Sequence, residues 1–170
     1  MSSHRILQGA LLLLSTISLA ALADDTGTPK AAGAFTAAQA ASGRVAVESS
    51  CGICHLKSLR GRAGEPDESP AFDELPRKFQ DFIKTGYVPP LVGEEFMAKW
   101  KGKTVVQLAE NLGSAGKSFP TAGMDEKTYL EIAAYVLQMN GAKAGDKEIT
   151  ATSTMTVGEA MGIRNVAASR

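Results

Sequence analysis

The chain has 170 residues, with 18 basic and 18 acidic side chains, 44% hydrophobic residues and two cysteines. Its length favours a single domain of ordinary size. The balanced charge argues against nucleic-acid binding, because proteins that bind nucleic acids need a basic face.

Residues 1–23 have the pattern of a secretory signal peptide. Arg5 supplies the positive start, residues 11–23 form the apolar run, and Ala21-Leu22-Ala23 resembles a cleavage site. The run is shorter than the roughly 20 apolar residues of a membrane-spanning helix, although an uncleaved anchor remains an alternative. Removing it would leave 17 basic and 18 acidic residues. We predict export to a bacterial periplasm and no stable membrane span afterwards.

Residues 24–34 are predicted to be a flexible leader, and the first helix follows them. Phe35 precedes Thr36-Ala37-Ala38-Gln39, which fits the T-x-x-Q pattern of a capping box. The helix is expected to run from about residue 37 towards residue 49, directly into the motif at residue 51. The candidates for its apolar face are Ala40, Val45 and Val47.

The motif is Cys51-Gly52-Ile53-Cys54-His55, which has the C-x-x-C-H spacing of a c-type haem attachment site. Two thiols one helical turn apart can form thioethers to the two vinyl groups of a porphyrin, and the adjacent imidazole can bind the iron as proximal ligand. The only other histidine, His4, lies in the predicted signal peptide. We therefore predict one covalent haem c held by Cys51, Cys54 and His55.

Three other interpretations of the motif are open. A Cys51–Cys54 disulfide of the thioredoxin type would need a neighbouring βαβ pattern, which the sequence lacks. A structural zinc site needs four ligands, and no further cysteine or histidine follows the signal peptide to complete one. The third is chance, with buried cysteines and a surface histidine.

Residues 56–71 are predicted to be mostly loop, and three helices are expected after them. The first has Pro76 in its opening turn and Gly86 at its end. Its apolar stripe comprises Phe72, Leu75, Phe79, Phe82 and Ile83. A short helix starting near Glu94 places Phe96 and Trp100 on one face and ends at Gly102. The sequence Thr104-Val105-Val106-Gln107 is a second capping box, opening a helix that Gly113 closes.

The last clear helix is expected to begin at the N-cap Asp125 and to end at Asn140-Gly141, after a loop over residues 113–124. Its predicted buried face comprises Tyr129, Ile132, Ala133, Val136 and Met139. Residues 142–170 are predicted to be a loosely packed tail, whose last part, residues 150–170, follows the domain, and a short helix is expected near residues 157–161. No strand is predicted.

The order of these segments resembles monohaem class I c-type cytochromes, and it is similar to the cytochrome c domains associated with periplasmic quinoprotein alcohol dehydrogenases. The resemblance covers roughly residues 35–149, with an unusually long loop over residues 57–88. Besides the haem motif, it is carried by residues 35–40, Pro89-Pro90-Leu91, residues 96–100, Lys103-Thr104-Val105 and residues 129–137.

The resemblance implies an all-α fold class, with residues 35–149 as the domain. It implies a small helical fold wrapped around one covalently bound haem, with the first and last helices crossing near it. A proline carbonyl would accept the ring N–H of the proximal histidine, at Pro89 or Pro90; alternatively these prolines only turn the chain. In the family, a methionine immediately before a proline is the sixth iron ligand. Here Phe119 precedes Pro120, so Phe119 becomes a candidate distal-pocket residue.

The first functional hypothesis is a periplasmic electron carrier that is not an enzyme. It would move single electrons between a dehydrogenase or respiratory complex and an acceptor, and its partners would be redox proteins. The alternative is a haem protein with an open sixth iron position that binds NO or CO or reacts weakly with peroxide. A third is a subunit of a larger dehydrogenase assembly, with residues 142–170 as its docking arm.

Met124 is the first candidate for a sixth ligand, because it lies in the loop before the last helix. It could instead pack on Tyr129 as a hydrophobic staple. The remaining candidates are Met97, Met139, Met155 and Met161. The first two fit a core position better, and the last two lie in the predicted tail.

Overall fold

The computed structural model describes residues 33–63, 68–84, 87–117 and 123–163, which are mainly α-helical, as predicted. Its α-helices are α1 (Ala37–Ala46), α2 (Gly52–His55), α3 (Arg77–Ile83), α4 (Gly93–Trp100), α5 (Val105–Lys117), α6 (Glu126–Met139) and α7 (Val157–Ala160). A π-helical segment, Val47–Cys51, joins α1 to α2, and a 3-10 turn, Phe72–Glu74, precedes α3. The predicted signal peptide lies outside the described residues.

Two very short strands, which the sequence did not predict, join the two ends of the fold. Strand β1 (Phe35–Thr36) pairs in parallel with β2 (Ala144–Gly145). Just before β1, the Ala34 amide donates to the Lys143 carbonyl over 3.1 Å. The start of the described chain is therefore tied to the segment that follows α6.

Helices α1 and α6 pack against each other at the centre of the molecule. At Gly43 of α1, a Cβ atom would overlap the backbone carbonyl of Glu131 in α6. The glycine, which would weaken an isolated helix, therefore allows the two backbones to approach closely. Ala40, Ile132 and Ala133 are buried in the same core.

The two predicted capping boxes have different outcomes. Thr104 and Gln107 form both reciprocal bonds, at 3.1 and 2.9 Å, at the start of α5. Thr36 accepts from the Gln39 amide over 3.1 Å, but the Gln39 side chain does not return to Thr36. It is buried and instead binds both the amide and the carbonyl of Ile149, at 2.9 and 2.8 Å.

Several helix details differ from the prediction. Val45 is 63% exposed because it lies on the outer side of α1, and Phe82 and Met139 are also exposed. Helix α5 continues past Gly113 to Lys117. Gly113 lies inside the helix, where an added Cβ would be 3.2 Å from the Tyr129 ring, so it serves a close packing contact instead of a helix end.

The expectation of a loosely packed tail is wrong for the part of it that the structure describes. Ile149, Val157 and Ala160 are buried in the main core. The expected short helix is confirmed as α7, and Thr156 and Glu159 form a capping box at its start. Backbone bonds from Val157 to Lys103 and from Gly158 to Lys101, both 2.9 Å, fix it against the turn after α4.

The long loop between α2 and α4 contains its own small core. Leu75, Phe79, Ile83 and Val88 form a second buried cluster together with Cys54. Among the described residues, no helix is both long enough and apolar enough to cross a bilayer.

Candidate functional site

The C-x-x-C-H residues occupy the end of the continuous helical segment that begins with α1. Cys51 is the last residue of the π-helical segment, and Cys54 and His55 lie in α2. Val47 is fully buried at the start of that segment, and its carbonyl accepts from the Gly52 amide. Core packing at Val47 therefore fixes where the motif leaves α1. Cys54 is buried, Cys51 is half-buried, and both thiols are free.

The imidazole of His55 is held by the chain 34 positions later. Its Nδ1 lies 3.0 Å from the carbonyl oxygen of Pro89. A carbonyl can only accept, so Nδ1 carries the proton and donates. Burial lowers the pKa of His55, and the bond to Pro89 opposes that effect in part. The neutral ring then has its free lone pair on Nε2, the arrangement needed to bind a metal. Of the two predicted prolines, Pro89 makes this bond.

Asn140, which the sequence marked only as the end of the last helix, holds the segment after Pro89 in place. Its side-chain nitrogen donates to the Leu91 carbonyl over 2.9 Å, and its oxygen accepts from the Gly93 amide over 3.0 Å. The Leu91 amide in turn donates to the Leu59 carbonyl over 2.8 Å. The position of Pro89 is thus supported from α6 and from the loop after α2.

Two cavities lie beside the motif and share the lining residues Cys54, His55, Leu91, Leu112 and Ala115. The larger one has a volume of about 390 Å³ and is lined by mostly apolar side chains from α3, α4, α5 and the segment before α4. The smaller one, of about 80 Å³, adds Cys51, Met124, Tyr129 and Ile132. Of these two cavities, only the larger has a volume in the range typical of small-molecule and cofactor sites.

A third space, a groove of about 570 Å³ between α5 and α6, is larger but lacks all three motif residues. It shares Met124 and Tyr129 with the smaller motif cavity. Because it contains neither thiol nor imidazole, it is a less suitable site for the chemistry of the motif than the two cavities beside His55.

The two thiols do not have the properties of a thioredoxin-like pair. Burial raises the pKa of Cys51 to about 11, and neighbouring Cys54 adds to the rise. Burial also raises the pKa of Cys54, with an opposing effect from Arg62. Reactive pairs of that kind need a lowered thiol pKa. Both described strands are only two residues long, so the structure gives the disulfide interpretation no support.

Of the five candidate methionines, Met124 lies beside the motif: it lines the same small cavity as Cys51, Cys54 and His55. The remaining four are described residues and are absent from the linings of both motif cavities. Phe119 and Pro120 lie outside the described residues. Among the described residues, no group of three or more histidine, cysteine or acidic side chains could hold a metal ion.

No protein-family model, no curated protein and no solved structure matches this chain.

Proposed function

We propose that this protein is a monohaem c-type cytochrome that carries single electrons in the periplasm. The observation that carries the proposal is the hydrogen bond from Nδ1 of His55 to the Pro89 carbonyl, 3.0 Å long. It orients the imidazole, leaves Nε2 available to iron and strengthens the ring as a ligand.

The residues around the cavities fit a haem c. Cys51 and Cys54 supply the two thioether sulfurs, His55 supplies the axial nitrogen, and the apolar lining suits a porphyrin face. When bound, the haem would supply an iron that takes up and releases one electron. The chain fixes the proximal imidazole and offers Met124 as a candidate second axial ligand.

The arrangement of helices supports the finer fold proposal, a cytochrome c-like fold wrapped around the haem. The first long helix, α1, and the last long helix, α6, pack together, as the resemblance implies. The motif follows directly from α1, while Tyr129 and Ile132 of α6 line the smaller cavity. Both helices therefore contribute to one site.

Redox proteins, a periplasmic dehydrogenase among them, are the proposed partners. The N-terminal segment supports delivery to the periplasm, where the covalent haem would be attached after export. The nearly neutral net charge favours docking through local patches over attraction by a strong overall field.

The test is covalent haem retention. The full chain is produced with a c-type haem maturation system, then separated on a denaturing gel and stained for haem. The wild type should keep its stain, and the Cys51→Ser/Cys54→Ser variant should lose it. Because Met97 lies outside the motif cavities, Met97→Ala is the control that should keep it. A wild type without stain contradicts the proposal.

A second measurement separates the electron carrier from the ligand-binding alternative. Reduced protein is mixed with CO and its visible spectrum is recorded. A carrier with both axial positions filled changes little. A rapid and complete change to a CO-bound spectrum would favour the open sixth position.

A further inference from the structure

We propose that Arg62 is a positioning residue for the His55 imidazole, because it joins the two segments that hold the ring. This inference rests on the role of His55 proposed above. Its consequence is that the long loop after α2, in which Arg62 lies, controls the orientation of the proximal ligand.

The guanidinium makes the first connection. Arg62 is only 1% exposed and is the largest fully buried side chain among the described residues. Its Nη2 donates to the carbonyl of Ile53, between the two cysteines, over 2.9 Å. Its Nη1 donates to the Pro70 carbonyl over 2.7 Å and pairs with the buried carboxylate of Glu68 over 3.3 Å.

The backbone makes the second connection. The Arg62 amide donates to the Val88 carbonyl and the Val88 amide donates to the Arg62 carbonyl, both over 2.9 Å. Val88 immediately precedes Pro89, the acceptor for His55. The adjacent Gly61 donates to the His55 carbonyl over 3.1 Å. Gly61 has a φ of +75°, and a Cβ there would overlap the Val88 carbonyl.

These bonds explain why Arg62 should act on ring geometry. The hydrogen bond from His55 to Pro89 depends on how α2 is placed relative to residues 88–89, and residues 61–62 bind both. A buried ion pair often adds little net stability compared with apolar residues of similar size. In addition, Nε of Arg62 has no hydrogen-bond partner among the described residues. The role that remains for the contact from Nη2 to the Ile53 carbonyl is to fix the turn that contains the motif.

The experiment measures how fast the Nδ1–H proton of His55 exchanges with solvent, using nuclear magnetic resonance. All proteins carry His4→Gln, so that His55 is the single histidine, and the haem-loaded protein is studied in the reduced state, with CO added only where the sixth iron position is open. The test variant is Arg62→Met/Glu68→Gln, which removes the pair without changing the net charge. The matched control is Arg44→Met/Glu48→Gln, which removes the exposed pair between α1 and the π-helical segment.

The test variant should exchange about tenfold faster than the wild type, a factor that corresponds to about 1.4 kcal/mol, and the control should not change. Arg62→Lys keeps the charge but not the two-pronged contact, so its rate should be intermediate. The reduction potential of the test variant should rise, because a less well-held imidazole donates less to ferric iron.

An exchange rate in the test variant equal to that of the control would overturn the positioning role. If the double variant does not fold, Arg62→Lys decides, and a wild-type rate in that protein overturns the proposal. If the wild type carries no covalent haem, the proposed function fails. The same exchange measurement on the haem-free chain then decides the role of Arg62, because its contacts to Ile53 and Val88 are made by groups of the chain itself.

Discussion

The imidazole of His55 has two nitrogen atoms, and its hydrogen bond to Pro89 gives them different roles. The Pro89 carbonyl accepts a hydrogen bond of 3.0 Å from Nδ1, so Nε2 keeps its free lone pair and is the atom available to a metal. Burial also raises the pKa of each free thiol beside it. At the residue scale, the raised thiol pKa values disfavour a reactive thiolate, and an imidazole with an available Nε2 agrees with the proposed haem site.

Met124→Ala tests the sixth ligand. If Met124 binds the iron, the ferric wild type shows a methionine-to-iron charge-transfer band near the red end of its visible spectrum, and the variant lacks it. Met97→Ala is the control, because Met97 is a described residue that lines neither motif cavity. A band that survives in Met124→Ala would show that another residue fills the position.

Asp125 provides a second test at this scale, through pH. Its carboxylate accepts from the Thr128 amide over 2.8 Å and from the Thr128 hydroxyl over 2.7 Å, and these bonds lower the pKa of Asp125. A lowered folded-state pKa stabilises the fold above the ordinary carboxyl pKa, and this stabilisation is lost as pH falls through the folded-state value.

Asp125→Ala should therefore lower the melting temperature at pH 7, and the difference from the wild type should shrink between about pH 4 and pH 2. Asp125→Asn keeps a neutral acceptor, so its difference should depend less on pH. Thermal melts at several pH values measure both. A difference for Asp125→Ala that stays constant across this range would contradict the cap.

At the scale of elements, the motif lies on one helical segment, and a second helix lines the cavity beside it. The segment from α1 through the π-helical residues to α2 ends at His55, and α6 supplies Tyr129 and Ile132 to the smaller cavity. Their close approach depends on Gly43, where a side chain would overlap the Glu131 carbonyl. The crossing of α1 and α6 therefore sets the distance between the motif and the opposite wall.

Gly43→Ala should destabilise the protein by roughly 1–3 kcal/mol, the usual effect of overpacking. This is the opposite of the gain of about 1 kcal/mol that alanine gives in an exposed helix. Urea unfolding of proteins with the same haem content gives the values. Gly102→Ala is the control, because a Cβ there meets no atom within 4 Å. Equal stability of the two variants would show that α1 and α6 are not in close contact.

At the scale of the whole molecule, the last described segment, residues 142–163, is bonded to the start of the described chain and to the turn after α4. Gln39 of α1 binds both backbone groups of Ile149, strand β1 pairs with β2, and α7 packs on the turn after α4. One core therefore extends from Phe35 to Ala160. Residues 142–163 contribute to the fold, which weakens the hypothesis that this segment is a free docking arm.

Val157→Ala should lower the free energy of unfolding by about 2 kcal/mol, because Val157 is fully buried in the main core. Ile163→Ala removes more atoms from an exposed position and should cost less than about 0.5 kcal/mol. Both values come from urea unfolding under the same conditions. A harmless Val157→Ala would mean that α7 does not pack as described.

The features that could be predicted from the sequence depend on residues close together in the chain. The motif lies within five residues, and each helix cap acts over three. Thr36, Thr104 and Asp125 therefore cap their helices as expected. The stripe of α6 is also largely confirmed, since Tyr129, Ile132, Ala133 and Val136 are buried, while Met139 at its end is exposed.

The remaining features depend on residues far apart, which the fold alone brings together. Pro89 and Pro90 were equivalent in the sequence, and the placement of α2 against residues 88–91 selected Pro89. Gln39 does not complete the capping box with Thr36, because its buried amide side chain needs hydrogen-bond partners. Ile149, 110 positions away, supplies them. The buried Arg62 carried no sequence signal, because a lone arginine in a polar loop is usually a solvated side chain. Only the tertiary structure placed its guanidinium against the motif.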